Sequence, residues 1–581
     1  MSIIKKLEEE IKTQISEVGY EIKDFSLVVS SRPELGDYQI NDAMKLAKEY
    51  HDSPINIAGK IVEKLKENNK LTNINIAGPG FINLSLSDEF IKNSLNEINE
   101  DLKNNVDMVN KKRIFMDYGG ANIAKTLHVG HLRSANIGEA VKRLAKYLGH
   151  EVISDVHFGD IGRQSGMVIS EIKRRYPDLD YFNENFTGNY DDIELNITEE
   201  ELGEIYPTAS IAAKADEERM KEVVQITKEL EEGNKSYVSL WNKIKEISIK
   251  DIKNVYKDIN TTFDLYEGET ECYEFIPELV ERFEKENYLR VSEDAKVIDV
   301  LEDKDSSPMP PLVFIKSNGA TLYATREIAT LYSRVKRFNP DEFWYFTDIR
   351  QSLYFEQVFR AARKTKIVDE NTKLNHYGFG TMNGKDGKPF KTRDGGVMSL
   401  KELIKIITEE TAKRLNKDIV EEDKREETAK MIGIAALKYA DLIPYRETDY
   451  IFDPEKFTSL EGKTGPYLLY STIRMKSLLN KAEEKKYSFI EFNNKEDRKV
   501  ALEILKLPKA LNKSLEEKSL NELTDYIYKL TSSYNTFYNE NKVLIEENEN
   551  LRDTWIALTS LVYKTNMDIL NILGINIPEK M

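Results

Sequence analysis

One cysteine, Cys272, stands in a chain of 581 residues. It can form no disulfide within the chain, and zinc sites built from several cysteines are excluded. Long apolar runs are missing too: none approaches the ~18 residues that span a bilayer, so no membrane role is expected. The opening segment, MSIIKKLEEEIKTQISEV, lacks the apolar core and small-residue cleavage site of a secretory signal and has instead the spacing of a Glu-rich amphipathic helix. These absences predict a cytoplasmic protein of a reducing compartment. A positive balance is also absent, since net charge is −17. That argues against indiscriminate phosphate binding, which needs clustered Lys and Arg. The 84 basic residues still allow local positive surfaces, with repulsion elsewhere disfavouring wrong sites.

Hydrophobic residues at 40% are ample for packed cores, and the length suits three to five folding units at roughly 100–200 residues each. Residues 1–105 read as a small α+β unit. Helical patterns at 3–18, 40–50 and 56–67 flank strand-like runs at 25–29 and 81–86, with turn signals at 33–38 and 77–81. Residues 101–113 read as a linker. IFMDY (114–118) then reads as a buried strand, and 126–148 as a helix with Gly149 at its end. EVISDVHFGD (151–160) follows as a second strand. This strand–loop–helix–strand order predicts a parallel, nucleotide-binding, Rossmann-like α/β sheet. An acidic, mostly helical insertion is expected at about 177–265. Strand signals return at PLVFIK (311–316), TLYATR (321–326) and FWYFTD (343–348), and beyond about 400 nearly everything is helical. The expected layout is an α+β domain at 1–105, a catalytic domain at 106–450 and an all-helical domain at 451–581.

Chemistry concentrates at His128-Val129-Gly130-His131, just after a strand and opening a helix. Four of the six histidines lie between 128 and 157. A helix N-terminus with free N–H groups attracts phosphate. Gly130 would let a flat adenine lie against the backbone. Two imidazoles can donate to charge growing on an α-phosphate, and Lys125 adds a cation. Alone, such a tetrapeptide is more often structural, or half of a metal site, although no third ligand is obvious nearby.

The surrounding residues change that balance. The stretch Ala121-Asn122-Ile123-Ala124-Lys125-Thr126-Leu127-His128-Val129-Gly130-His131 resembles the "HIGH" signature of class I aminoacyl-tRNA synthetases, in the form seen in the arginyl-tRNA synthetase family. HFGDIGRQSGM (157–167) is similar to that family's Gly-Asp-x-Gly-x-Gln segment. Further matches, in family order, are PELGDYQINDAMKLAK (33–48), GPGFINL (78–84), LYATREIAT (322–330), KYADLIPYRETDYIFD (438–453), EGKTGPYLLYSTIR (461–474) and LGINIPEKM (573–581). The second signature of the class, Lys-Met-Ser-Lys, is altered. The corresponding place reads GKDGKPFKTRDGG (384–396), with Thr392 for the second lysine and Lys391 one place earlier.

The resemblance implies activation of arginine with ATP, Mg²⁺ arriving with the nucleotide, and transfer to tRNA(Arg) by a monomeric enzyme. Members usually need tRNA present for the first step. His128, His131, Lys125, Lys391 and Arg393 are the implied catalytic residues. Val129, Gly130, Gly159, Asp160 and Lys388 are assigned to ATP. A guanidinium has five donors and resists deprotonation, so a selective slot needs fixed carboxylates and neutral acceptors. The family positions place Asp117 and Glu327 at the guanidinium, Tyr323 with a hydroxyl, and Asn122 and Gln351 at the α-amino and carboxylate groups. Gln164 is assigned to arginine in the same crevice. Glu327 stands where the family usually has Asp. Tyr323 and Glu327, four apart, would share a helical face.

For tRNA, the candidates are Phe81 and Asn83 in the N-terminal unit and Tyr470, Arg474, Tyr534, Phe537 and Tyr538 near the C-terminus. Aromatic rings there could stack on unpaired bases. Tyr534, Phe537 and Tyr538 share a helical stripe that reads equally well as core. Tyr467 is ambiguous in the same way. Two rival readings stay open at this stage: a related transferase with the same motif and another substrate, and a non-catalytic RNA-binding descendant.

Overall fold

A computed structural model describes residues 1–388, 398–416 and 418–581. Lys391 and Arg393 lie outside the described residues. The N-terminal unit has a four-stranded antiparallel sheet, ordered Val28–Val29, Tyr38–Ile40, Phe81–Leu86 and Leu71–Ala77. Helix Ile3–Glu17 packs by a stripe of Ile3, Leu7, Ile11 and Ile15, and its first turn is capped by the Ser2 side chain. The strand Leu71–Ala77 was not expected. It is a largely exposed edge strand whose apolar alternation is confined to Asn73, Ile74, Asn75 and Ile76, at the lower limit of length that marks a strand.

At the centre lies a parallel sheet of four strands. Its spatial order is Lys373–His376, Glu342–Tyr345, Arg113–Asp117, Glu151–Asp155. Helices cover both faces, so Ile114, Phe115, Met116, Phe343, Trp344 and Tyr345 are all buried. The chain leaves Arg113–Asp117 toward Glu151–Asp155, then returns to lay Glu342–Tyr345 on the other side. A crevice therefore opens at the carboxyl ends of the two central strands, where such sheets bind ligands. Helix Val129–Tyr147 starts at that crevice and is buried along nearly its whole length; Gly149, at φ +108°, ends it.

PLVFIK forms its strand, Leu312–Ile315, but in a separate three-stranded antiparallel sheet with Arg290–Ser292 and Ala295–Ile298. TLYATR is a correction: helix Tyr323–Phe338 begins inside it. Its β-prone first turn is held helical because the Leu322 N–H donates to Thr325 Oγ1 at 2.9 Å, while Ile328, Ala329 and Leu331 bury toward the core. The insertion is helical, as expected. Glu199–Ala215, Glu217–Glu231 and Lys235–Asp258 pack with Arg163–Arg175 around Met167, Ala209, Ala213 and Val223.

After residue 400, helices dominate, including Arg425–Leu442, Gly465–Leu479, Asn521–Glu540 and Glu549–Ile572. Polar joints tie this region to the rest, two of them built on arginine. Arg498 forks onto Asp37 at 3.0 and 2.8 Å and reaches Asp88 at 2.8 Å in the N-terminal unit. Arg143, on the helix that begins at Val129, donates to Glu139 at 2.7 Å, to the Asn571 carbonyl at 3.0 Å and to the Asn260 carbonyl at 3.0 Å. Among the described residues, no helix is long and apolar enough to cross a membrane.

Candidate active site

A cavity of about 730 Å³ fills the crevice. It is lined by His128, Val129, Gly130, His131, Asp117, Asn122, Gly159, Tyr323, Glu327 and Gln351. The nucleotide motif and the arginine candidates thus share one space. Gly119 and Gly120 turn the chain out of the first strand at φ +96° and +59°, values that glycine adopts without strain. The loop is then pinned to the next one: Ile123 N–H donates to the Gly159 carbonyl at 3.0 Å, and Gly159 N–H to Ala121 at 3.1 Å. A Cβ on Gly159 would lie 2.3 Å from Asn122 Oδ1, so glycine there is a condition of the close approach.

His128 caps the helix. Its Nδ1 accepts from Gly130 N–H at 3.1 Å, while His131 Nδ1 accepts from His128 N–H at 3.0 Å. A Cβ on Gly130 would sit 2.9 Å from the His128 ring, which explains the glycine. Val129 N–H donates to the Met398 carbonyl at 3.2 Å and His131 N–H to the His128 carbonyl at 2.9 Å. The first three N–H groups of the helix are therefore engaged, contrary to the expectation that they would be free for phosphate. The imidazoles replace them. Each uses Nδ1 as acceptor, which leaves the proton on Nε2 as a donor. Burial, then the Lys125 charge, lowers the His128 pKa; burial, then His128, pushes His131 down to about 3. Both rings are neutral donors at neutral pH.

Lys125 does not line the cavity; its Nζ lies 4.7 Å from the Tyr206 ring centre on the inserted bundle. Lys388 is exposed in the turn that closes from Gly384 N–H to the Lys388 carbonyl at 2.8 Å. Past the segment that holds Lys391 and Arg393, Leu400 N–H donates to Leu127 at 2.8 Å; ahead of it, Thr381 and Met382 line the cavity. Asp160 and Gln164 need correction, because neither lines the crevice. Asp160 is fully buried, binding Lys245 at 2.6 Å and Thr270 N–H at 3.0 Å, and it braces the inserted helices. Gln164 donates to the Gly159 carbonyl at 2.6 Å and so shapes the loop from behind.

The acidic end of the cavity contains more than the sequence indicated. Asp117 Oδ2 accepts from Arg334 Nη1 at 2.9 Å, and Arg334 Nη2 donates to Asp155 Oδ2 at 2.7 Å. His157 Nδ1 stands 3.6 Å from Asp155. Burial raises the Asp117 pKa to about 6 against the pull of Arg334. For His157, burial and Arg334 work against the proton, but the carboxylates of Asp155, at ion-pair distance, and Asp117 outweigh them and lift it to about 9. Glu327 Oε1 and the Tyr345 hydroxyl are buried without hydrogen-bond partners among the described residues. Glu269 pairs with Arg326 at 2.6 Å on the cavity wall, and buried Cys272 donates to the Glu269 carbonyl at 2.9 Å behind it. A signal for Arg334 was available. Tyr323, Glu327 and Arg334 are spaced four and seven apart, which puts all three on one helical face.

The RNA candidates divide. Tyr534 and Phe537 are fully buried against Trp555 and Thr559, so they are core. Asn83 is also fully buried, bonded to Gln39 at 2.9 Å, while Phe81 stays half-buried. Tyr470 is 45% exposed, and the Arg474 guanidinium lies between it and half-buried Tyr538, at 6.0 and 4.4 Å from the two ring centres. Tyr467 is held inward by Asn535, at 2.8 Å.

A parallel sheet with a histidine-capped helix at its topological switch point, followed by a helical C-terminal region, is the architecture of a class I aminoacyl-tRNA synthetase. The family model for class I tRNA synthetases (R), catalytic domain, matches residues 92–454. Models for an arginyl tRNA synthetase N-terminal domain and a DALR anticodon binding domain match 5–86 and 468–581. Arginine–tRNA ligases of Alkaliphilus oremlandii and Agathobacter rectalis are each 41% identical, with both chains covered completely. The arginyl-tRNA synthetase of Plasmodium falciparum superposes with a TM-score of 0.80 at 25% identity, covering 100% of this chain and 99% of that one. The chain belongs to the arginyl-tRNA synthetase family, the arginine–tRNA ligases of class I.

Proposed function

We propose that the 730 Å³ cavity performs both steps of arginine–tRNA ligation, with the residues that line it holding the substrates and cations from outside its lining joining at the phosphates. The arginine side chain enters between Asp117 and Glu327 with Tyr323 at the mouth. Asn122 and Gln351 hold its α-amino and carboxylate groups. The carboxylate oxygen attacks the α-phosphorus of ATP, pyrophosphate leaves, and arginyl-adenylate forms. A hydroxyl of the terminal tRNA ribose then attacks the arginyl carbonyl and AMP leaves. His128 and His131 supply neutral Nε2–H donors to the α-phosphate as its charge grows, a role worth roughly 10²–10³ in rate for one such donor. Lys125, Lys388, Lys391 and Arg393 supply cations to the leaving pyrophosphate. In this reading Mg²⁺ belongs to the nucleotide, held by phosphate oxygens. Val129, Gly130 and Gly159 face the adenosine.

The helical region from 451 reads the anticodon loop, with Tyr470, Arg474 and Tyr538 stacking on its bases, and residues 1–105 touch the tRNA body near Phe81. The enzyme works as a monomer in the cytoplasm. The observation that supports the reading is the shared cavity: two neutral imidazoles and an unpartnered buried carboxylate oxygen face one space. Single-turnover adenylate formation, with tRNA present, tests it. His131→Ala should slow that step by roughly 10²–10³; an unchanged rate overturns the assignment.

A further inference from the structure

Asp117 would be a poor partner for a cationic substrate if it stood alone. It is buried at the end of a strand, and Asp155 and Glu327 add negative charge beside it. Burial and like charges both favour the protonated, neutral carboxyl. One group opposes them at hydrogen-bond distance. Arg334 is 1% exposed on helix Tyr323–Phe338. One fork nitrogen takes Asp117 Oδ2 at 2.9 Å; the other takes Asp155 at 2.7 Å. Its plane lies over the Phe115 ring, 4.5 Å from the ring centre, which fixes its tilt. Asp155 is anchored in turn by Glu267 N–H at 3.2 Å and by His157.

We propose that Arg334 is a positioning residue for arginine recognition, a built-in guanidinium that keeps Asp117 ionised and occupies one of its oxygens, so that the other is aimed at the substrate. The proposal rests on the reading of Asp117 as a contact of the substrate guanidinium. The groups facing Asp117 are Arg334 and Glu327 from one helix, Asp155 from the neighbouring strand and His157 just beyond it. Of these, Arg334 and protonated His157 favour the ionised form, and only Arg334 hydrogen-bonds to Asp117. With Arg334 present, Asp117 is ionised above about pH 6. Without it, the carboxyl takes up a proton at neutral pH and gives it up only in alkaline solution.

The test is the pH profile of KM for arginine in the charging reaction. Wild type should be flat from pH 7 to 9 and weaken below about 6. Arg334→Met should raise KM at pH 7 roughly 2- to 100-fold, since a nearby opposite charge shifts a carboxylate by 1–3 units. The rise should fade toward pH 9, with KM for ATP unchanged. A side chain that only stabilised the fold would give a deficit independent of pH. Arg334→Lys, which keeps the charge but cannot span both carboxylates, should fall between. Should Arg334→Met not fold, Arg334→Gln, which keeps a hydrogen-bond donor beside Asp117 but no charge, carries the same expectation, and a KM for arginine in it that matches wild type at pH 7 overturns the proposal. Asp117→Asn separates the two layers. If it leaves KM for arginine unchanged, the slot assignment itself fails. If it raises KM while Arg334→Met shows no alkaline recovery, only the role of Arg334 fails.

Discussion

Glu139→Gln should cost about 3 kcal/mol of stability at pH 7. Glu139 is 1% exposed on the helix that His128 caps. It accepts from Arg143 at 2.7 Å, Lys142 at 2.8 Å, the Tyr118 hydroxyl at 2.9 Å and Thr262 N–H at 3.1 Å. Burial alone would raise its pKa, but Lys142 and Arg143 outweigh that and hold it at about 2, against 4.5 for the free side chain. Holding the carboxyl at about 2 where the free side chain has 4.5, at about 1.4 kcal/mol for each tenfold change in proton affinity, gives the figure. Because the folded value is depressed, the contribution is complete above the unfolded pKa and disappears as pH falls from about 4.5 through 2. The difference between wild type and variant should therefore shrink to less than half of that by pH 3. Urea unfolding of the first cooperative transition, at pH 7, 4 and 3, measures it. A gap under 1 kcal/mol at pH 7, or one that does not narrow in acid, would refute the claim that ionic pairing makes this carboxylate stabilising.

Two further variant sets probe other regions. Tyr538→Ala should raise KM for tRNA by about 5- to 150-fold, the 1–3 kcal/mol of a stacked base, and leave KM for arginine and ATP alone; Tyr534→Ala should instead lower stability by about 3–5 kcal/mol, as large-to-small changes in aromatic cores do, and steady-state charging with thermal melts separates the two. Gly159→Ala brings a methyl group to 2.3 Å from Asn122 Oδ1, so KM for arginine should rise at least tenfold, with the melting temperature falling only a few degrees, measured in the same two assays.

Much of the fold could be read in the sequence because three of the four parallel strands carry short apolar runs, and the His128 motif follows the glycine turn that ends one of them; Lys373–His376, at the sheet's edge, has no such run. The failures have physical reasons. Leu71–Ala77 pairs by its backbone on an exposed edge, and its alternation is confined to Asn73, Ile74, Asn75 and Ile76, too short a run to stand out. TLYATR has β-prone side chains in a turn whose capping hydrogen bond decides for helix. Asn83 and Tyr534 carry polar atoms that suggest surface, yet each finds its partner inside the fold, at Gln39 and Thr559. Asp160 looked like a ligand residue because it follows a strand end, and the structure spends it on Lys245. Helical spacing puts Arg334 on the face of Tyr323 and Glu327, but its pairing with Asp117 reaches across 217 residues, a distance that no local motif spans.

The lone thiol has a practical consequence. Cys272 is buried, and burial pushes its pKa up to about 12, so the nucleophilic thiolate is scarce and shielded at neutral pH. Maleimide dyes should pass it by. A cysteine substituted for Lys385, exposed in the same turn as Lys388 and given no part in the chemistry, would then be the single labelled point, and fluorescence from it could follow the mouth of the cavity through a turnover.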